Sequence, residues 1–159
     1  MPLAPPDILH CLLPKNPLCL ITDDGSDLTP KLTGELIKLG WKTAVIRYAG
    51  TSEFAQKKRK PLPKQTLLID LTSSEEPELQ SVFKNLETEH GKIGGLINLN
   101  PASSTSGSLR LEDEENMFLR NTFIAAKNAA SSLKKSSNSE NLRSLFVSVC
   151  RMDGQLGMG

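Results

Sequence analysis

The chain has 159 residues, of which 38% are hydrophobic, and its 19 basic and 18 acidic residues leave a net charge of +1. That length suits one domain with a real core, and the near-neutral balance argues against broad attraction to nucleic acid or an anionic membrane. No apolar run approaches the ~20 residues of a membrane span, and the N-terminus lacks the charged start and apolar core of a secretion signal. Three cysteines, Cys11, Cys19 and Cys150, are an odd number without metal-ligand spacing, so the composition points to a cytosolic protein.

Residues 1–16 carry Pro2, Pro5, Pro6 and Pro14, which remove backbone donors and favour extended chain. They read as a linker or surface arm that Ile8, Leu9, Leu12 and Leu13 could pin down, with the domain proper over 17–159. Leu18 to Thr22 is a short apolar run of the kind found in a strand buried on both faces. An amphipathic helix follows, with Leu28, Leu32, Leu36, Ile37 and Leu39 as its apolar side, Ser26 or Thr29 as cap, Pro30 in its first turn and Gly40 as its stop. Residues 41–48 form a second strand. A polar loop with Lys57, Lys58, Arg59 and Lys60 reads as a solvated insertion.

Residues 66–71 are a third strand. Ser74 can cap a helix with Glu75 and Glu76 in its first turn, a stripe of Leu79, Val82, Phe83 and Leu86, and a stop at Gly91. A fourth strand covers 94–98, and a serine-rich loop leads to a long helix over about 112–134. Its inward side is Met117, Phe118, Ile124, Ala125, Ala129 and Leu133. Residues 145–150 are a fifth strand, before a glycine-rich tail. Alternating strands and helices imply right-handed crossovers and an α/β fold with a parallel sheet of about five strands, order 3-2-1-4-5, with helices on both faces. The crossover expected after the fifth strand is missing, which reads as a truncated unit completed by another segment.

The stretch joining the first strand to the first helix decides the functional reading. A dinucleotide site of the short-chain reductase kind needs Thr-Gly-x-x-x-Gly-x-Gly here, so that the backbone can approach the pyrophosphate. Aligned on Thr22, the three glycine places hold Asp23, Asp27 and Thr29, and the one glycine, Gly25, falls between them. A carboxylate about 5 Å from a phosphate repels it by roughly 3 kcal/mol at an effective dielectric of ~20, against about 0.3–1 kcal/mol from the helix dipole. The turn is therefore expected to be structural, with no cofactor bound. Asp23, Asp24 and Asp27 could also be read as oxygen ligands for magnesium, but acidic residues before a helix are ordinary cap chemistry.

Other candidate residues are sparse. Asn98 stands where such reductases begin an Asn-Asn-Ala-Gly stretch, but Pro101 fixes a backbone that they leave to glycine, and Asn98 reads as a tie between strands. The reductase Tyr-x-x-x-Lys pair has no counterpart: the only tyrosine is Tyr48, on the second strand, and no lysine follows Lys135. Ser148 lies near the place of a reductase serine and reads as a packing residue. Arg47 could face a 2′-phosphate only if the glycine turn were intact. His10 and His90 have no nucleophile or metal partner at useful spacing, and the helix dipole accounts for His90. No catalytic and no metal-binding residue is assigned.

The segments LITDDGSDLTPKL, GGLINLNP and FVSVCRMDGQLGMG together resemble one half of a ketoreductase region from the large iterative synthases: modular polyketide, polyunsaturated fatty acid and heterocyst glycolipid-type synthases. In that family the region has two Rossmann-like halves, an N-terminal structural one without a cofactor site and a C-terminal one that binds NADPH. The resemblance covers roughly Pro17 to Gly159 and implies the structural half, inactive alone. Its partner would be the catalytic ketoreductase subdomain of the same polypeptide, with acyl carrier protein engaged indirectly. None of the family's catalytic residues maps onto this chain. The alternatives are a divergent short-chain reductase that still binds NAD(P)H and, more remotely, an interaction module of flavodoxin-like shape.

Overall fold

The computed structural model describes residues 14–48, 60–73, 75–100, 111–137 and 142–149, the stretch 111–115 by its backbone alone. The element order is β1 (Leu18–Thr22), α1 (Leu28–Lys38), β2 (Lys42–Arg47), β3 (Leu67–Asp70), α2 (Glu76–His90), β4 (Ile93–Leu99), α3 (Leu111–Ser137) and β5 (Leu145–Val149). The five strands form one parallel sheet in the order β3-β2-β1-β4-β5. This is the expected α/β topology, with β1 at the centre. The proline-rich arm to residue 13, the run Lys57–Arg59, Ser74, Pro101 and Cys150 lie outside the described residues.

Two apolar layers hold the sheet. Leu20, Ala44, Ile46 and Leu96 meet Leu79, Phe83 and Leu86 of α2 and Ile124, Ala125, Ala129 and Leu133 of α3. On the other face Cys19, Ile21, Val45, Ile97 and Leu99 meet Leu36 and Trp41. Helices therefore cover both faces. β1 and β4 are buried along their whole length, as parallel strands covered on both sides must be, and they read as apolar runs without alternation.

The helix ends differ in part from expectation. Ser26 Oγ does accept the Leu28 N–H at the start of α1, while the N-cap position belongs to Asp27. Leu39 lies past the helix end and is exposed. At α2 the cap is Glu75, and Glu78 reaches back to accept bonds from the backbone and hydroxyls of Thr72 and Ser73. Those hydrogen bonds, that of the Ser73 hydroxyl first, hold the Glu78 carboxyl down to about 2.

The start of β4 shows why two glycines stand together. A Cβ on Gly95 would meet Trp41 Cζ3 at 2.9 Å and Cys19 Sγ at 3.0 Å, and one on Gly94 would meet Pro17 Cβ at 2.7 Å. The absence of side chains lets Trp41 and the chain entering β1 pack directly on the strand. From the other face Ser132 Oγ accepts the Ile93 N–H and Ser136 Oγ donates to the Ile93 carbonyl, both at 2.9 Å, so α3 is pinned at this end of the sheet.

Cys19 is fully buried, as its place in a strand implies, and burial pushes its thiol up to about 12. A thiol raised in the folded state favours folding below the unfolded-state value, and that contribution is lost as pH rises toward 12. We expect iodoacetamide to leave Cys19 unmodified in the native protein up to about pH 10 and to modify it fully in urea. Peptide mapping by mass spectrometry separates it from Cys11 and Cys150. Rapid native labelling at pH 8 would contradict its burial.

Candidate functional site

The carboxyl ends of the strands are where open α/β sheets bind ligands, and the β1–α1 turn lies there. Gly25, at φ 74°, takes the left-handed bend. Asp23 extends the sheet by one bond, its N–H donating to Ile46 O at 2.9 Å, and its Oδ1 accepts the Gly25 N–H at 3.0 Å. Its Oδ2 meets Arg47 Nε at 2.7 Å, with the Asp23 side chain almost wholly buried. Arg47 also lies 3.7 Å from Asp70 through Nη1. The guanidinium that might have met a 2′-phosphate is thus held by the protein's own carboxylates.

The carboxylate at the heart of the turn is Asp24, which occupies none of the three glycine places. It is 0% exposed. Its Oδ1 accepts from Thr29 Oγ1 at 2.6 Å and from the Ser26 N–H at 3.1 Å, and its Oδ2 accepts from the Ser26 hydroxyl. Thr29, also fully buried, takes the Asp24 N–H in return at 3.1 Å. Donors at the entrance to α1 that could face an incoming anion are turned onto an internal one.

Asp27 behaves differently from the expectation that it would sit against a phosphate. Its carboxylate turns outward to Lys31 at 2.8 Å and Lys60 at 3.1 Å, and the hydrogen bonds from these lysines, Lys31 first, hold it down to about 2. Among the described residues no group of three or more acidic, histidine or cysteine side chains is placed to hold a metal.

A second polar set lies on the α2/α3 face at the same end. Asn98 shares that face with Leu96, and Ser148, level with Asn98 in the β4–β5 register, is exposed. Asn98 is 0% exposed, and neither its Nδ2 nor its Oδ1 finds a partner among the described residues. The amide therefore does not tie neighbouring strands together as its position suggested; backbone pairing and Thr22 do that, the threonine hydroxyl bridging both the N–H and the carbonyl of Leu99. Asn121 of α3 is buried with an Oδ1 likewise unpartnered among them. Because α3 is anchored with Ser132 at Ile93, about 16 Å of helix leads back to Asn121 and about 16 Å of strand leads forward to Asn98. The two amides are thus separated from that anchor by about equal lengths of chain axis. Tyr48 donates its hydroxyl to the Asn121 carbonyl at 3.4 Å, and burial raises its pKa, so the phenol stays protonated at neutral pH.

Asn121 falls three and four residues before Ile124 and Ala125 on the inward stripe, which is the sequence signal that marks it, whereas nothing in the spacing separates Asp24 from Asp23 and Asp27. His90 is at the far end of the sheet, its carbonyl accepting from Lys42 Nζ at 3.3 Å, and His10 lies outside the described residues.

No family model and no curated protein matches the sequence. Solved structures do match in shape. The NADH-dependent reductase A1-R′, described as complexed with NAD, superposes with a TM-score of 0.67 at 16% identity, over 91% of this chain and 63% of its own. Levodione reductase gives 0.63 at 16% identity, over 91% and 58%. A Serratia marcescens short-chain dehydrogenase/reductase gives 0.53 at 19% identity, over 74% and 52%. The fold is therefore the reductase-like, Rossmann-type fold of the short-chain dehydrogenases/reductases, and this chain spans about half to two thirds of the length of those proteins.

Proposed function

We propose that this chain is the structural, non-catalytic half of a ketoreductase region in a polyketide, polyunsaturated fatty acid or glycolipid-type synthase. In this reading it supports an NADPH-dependent β-ketoacyl reductase half and binds no cofactor itself. The observation that carries the reading is the β1–α1 turn, whose polar donors are spent on the buried Asp24 carboxylate and whose neighbouring arginine is spent on Asp23. Leu119 and Phe123 agree with it: they stand one helical turn apart and exposed on the outer side of α3, where a docked catalytic half could cover them.

The competing reading, a divergent reductase that binds NAD(P)H, draws on the fold shared with reductases. Titration with NADPH, followed by its fluorescence and by calorimetry, separates the two. The scaffold reading expects no saturable signal from the turn, and micromolar binding that moves the amides of residues 23–29 would overturn it.

A further inference from the structure

The opposite end of the sheet carries the reverse charge. A cavity of about 420 Å³ opens at the amino ends of the strands, lined by Lys15, Lys42, His90, Lys92 and Lys135 and, among the described residues, by no carboxylate. The topology brings them together. Lys15, Lys42 and Lys92 precede or begin β1, β2 and β4, and α2 and α3 end there at His90 and just beyond Lys135. Among the described residues none of the four lysines makes an ion pair, whereas Lys31, Lys38, Lys60 and Lys127 each hold a carboxylate elsewhere.

Some of this charge has an ordinary purpose. Two helix C-termini face the cavity, each equivalent to about half a negative charge, and Lys42 caps one of them through the His90 carbonyl. Glu89, mostly exposed, lies 3.6 Å from His90 Nε2 and can offset one charge more. Among the described residues a surplus of about two positive charges remains around one concavity. Its wall also includes Asn16, at φ 50° the only non-glycine residue with a positive φ among those described, and Gly91 at φ 94°. Backbone held in such conformations collects at binding sites.

We propose that this cavity binds a doubly charged phosphate group, either as inorganic phosphate or as the head of a small phosphate monoester. Ammonium groups converging from separate segments suit a compact dianion, and the open cavity has room for a phosphate and a small substituent. The site is at the end of the sheet away from the reductase turn, and it stands whether or not the scaffold reading holds.

The test is a ¹H–¹⁵N NMR titration of the intact chain with inorganic phosphate and, separately, with glycerol 3-phosphate. We expect saturable shifts at Lys15, Asn16, Lys42, Gly91 and Lys92, weakened at about 0.5 M salt, where screening acts within a few ångströms. Each lysine should contribute about twofold to fivefold. The triple variant Lys15→Gln, Lys92→Gln, Lys135→Gln should lose about tenfold or more in affinity with an unchanged melting temperature. Equal affinity for the two probes assigns the site to the phosphate group alone, and tighter binding of the ester assigns it to the monoester; both support the proposal. Absence of saturation, shifts confined to residues 23–29, or unchanged binding in the triple variant overturns it. NADPH binding that survives in the triple variant counts against the scaffold reading instead, so the two ideas fail separately.

Discussion

Replacing Arg47 with methionine should destabilise the protein by about 2–3 kcal/mol, close to the full effect of breaking a buried ion pair and reduced because the arginine keeps some contact with water. The Arg47 side chain is 20% exposed and Asp23 only 3%, so the loss falls on the carboxylate, which would stay buried next to the sheet without the Arg47 guanidinium. For a chain of this size the melting temperature should drop by about 5–10 °C. The second half of the cycle is more telling. Asp23→Asn combined with Arg47→Met removes both charges and keeps the amide oxygen that accepts the Gly25 N–H, so the double variant should recover at least half of the loss. A double variant as unstable as the sum of the singles would mean that Asp23 and Arg47 act independently, and that the arginine does not substitute for a ligand in closing the turn.

Asn98→Val should have the opposite sign and raise stability by about 1–2 kcal/mol. Two fully buried amide atoms without partners among the described residues each carry a desolvation cost that folding does not return. A β-branched apolar side chain suits a strand covered on both faces, and valine's shape fits within the space of asparagine closely enough to avoid heavy overpacking. Asn98→Asp is the control: a charge at a 0% exposed position with no partner should destabilise by several kcal/mol at neutral pH. Thermal or urea unfolding reads both variants. A valine variant that loses more than about 1 kcal/mol would show that Asn98 is hydrogen-bonded in solution.

Much of the architecture was legible in the residues. β1 was placed to the residue because an apolar run bounded by proline and aspartates has few other readings. The other strands and α3 were recovered within a few positions, because boundaries depend on bonds that fray. The strand order followed from chain connectivity and crossover handedness alone. At the turn, alignment identified which places lack glycine but gave the wrong weight to each acid. Asp27, which counts as a blocked glycine place, turns out to Lys31 and Lys60, while Asp24, which blocks none, fills the centre. Side-chain direction at a tight bend depends on φ at Gly25 and on which hydroxyls lie within reach, and no spacing rule carries that information.

The sequence by itself therefore determined the fold class, the sheet order and the loss of the glycine cradle, because apolar periodicity, turn residues and crossover handedness are local or nearly local properties. The tertiary structure decided the rest. It set Arg47 on Asp23 across 24 positions, buried the side chains of Asn98 and Asn121, and gathered Lys15, Lys42, Lys92 and Lys135 around one cavity. In a parallel sheet every strand begins at the same end, so residues far apart in the chain become neighbours there. That geometry sets the acidic β1–α1 turn at one end of the sheet and the lysine-lined cavity at the other.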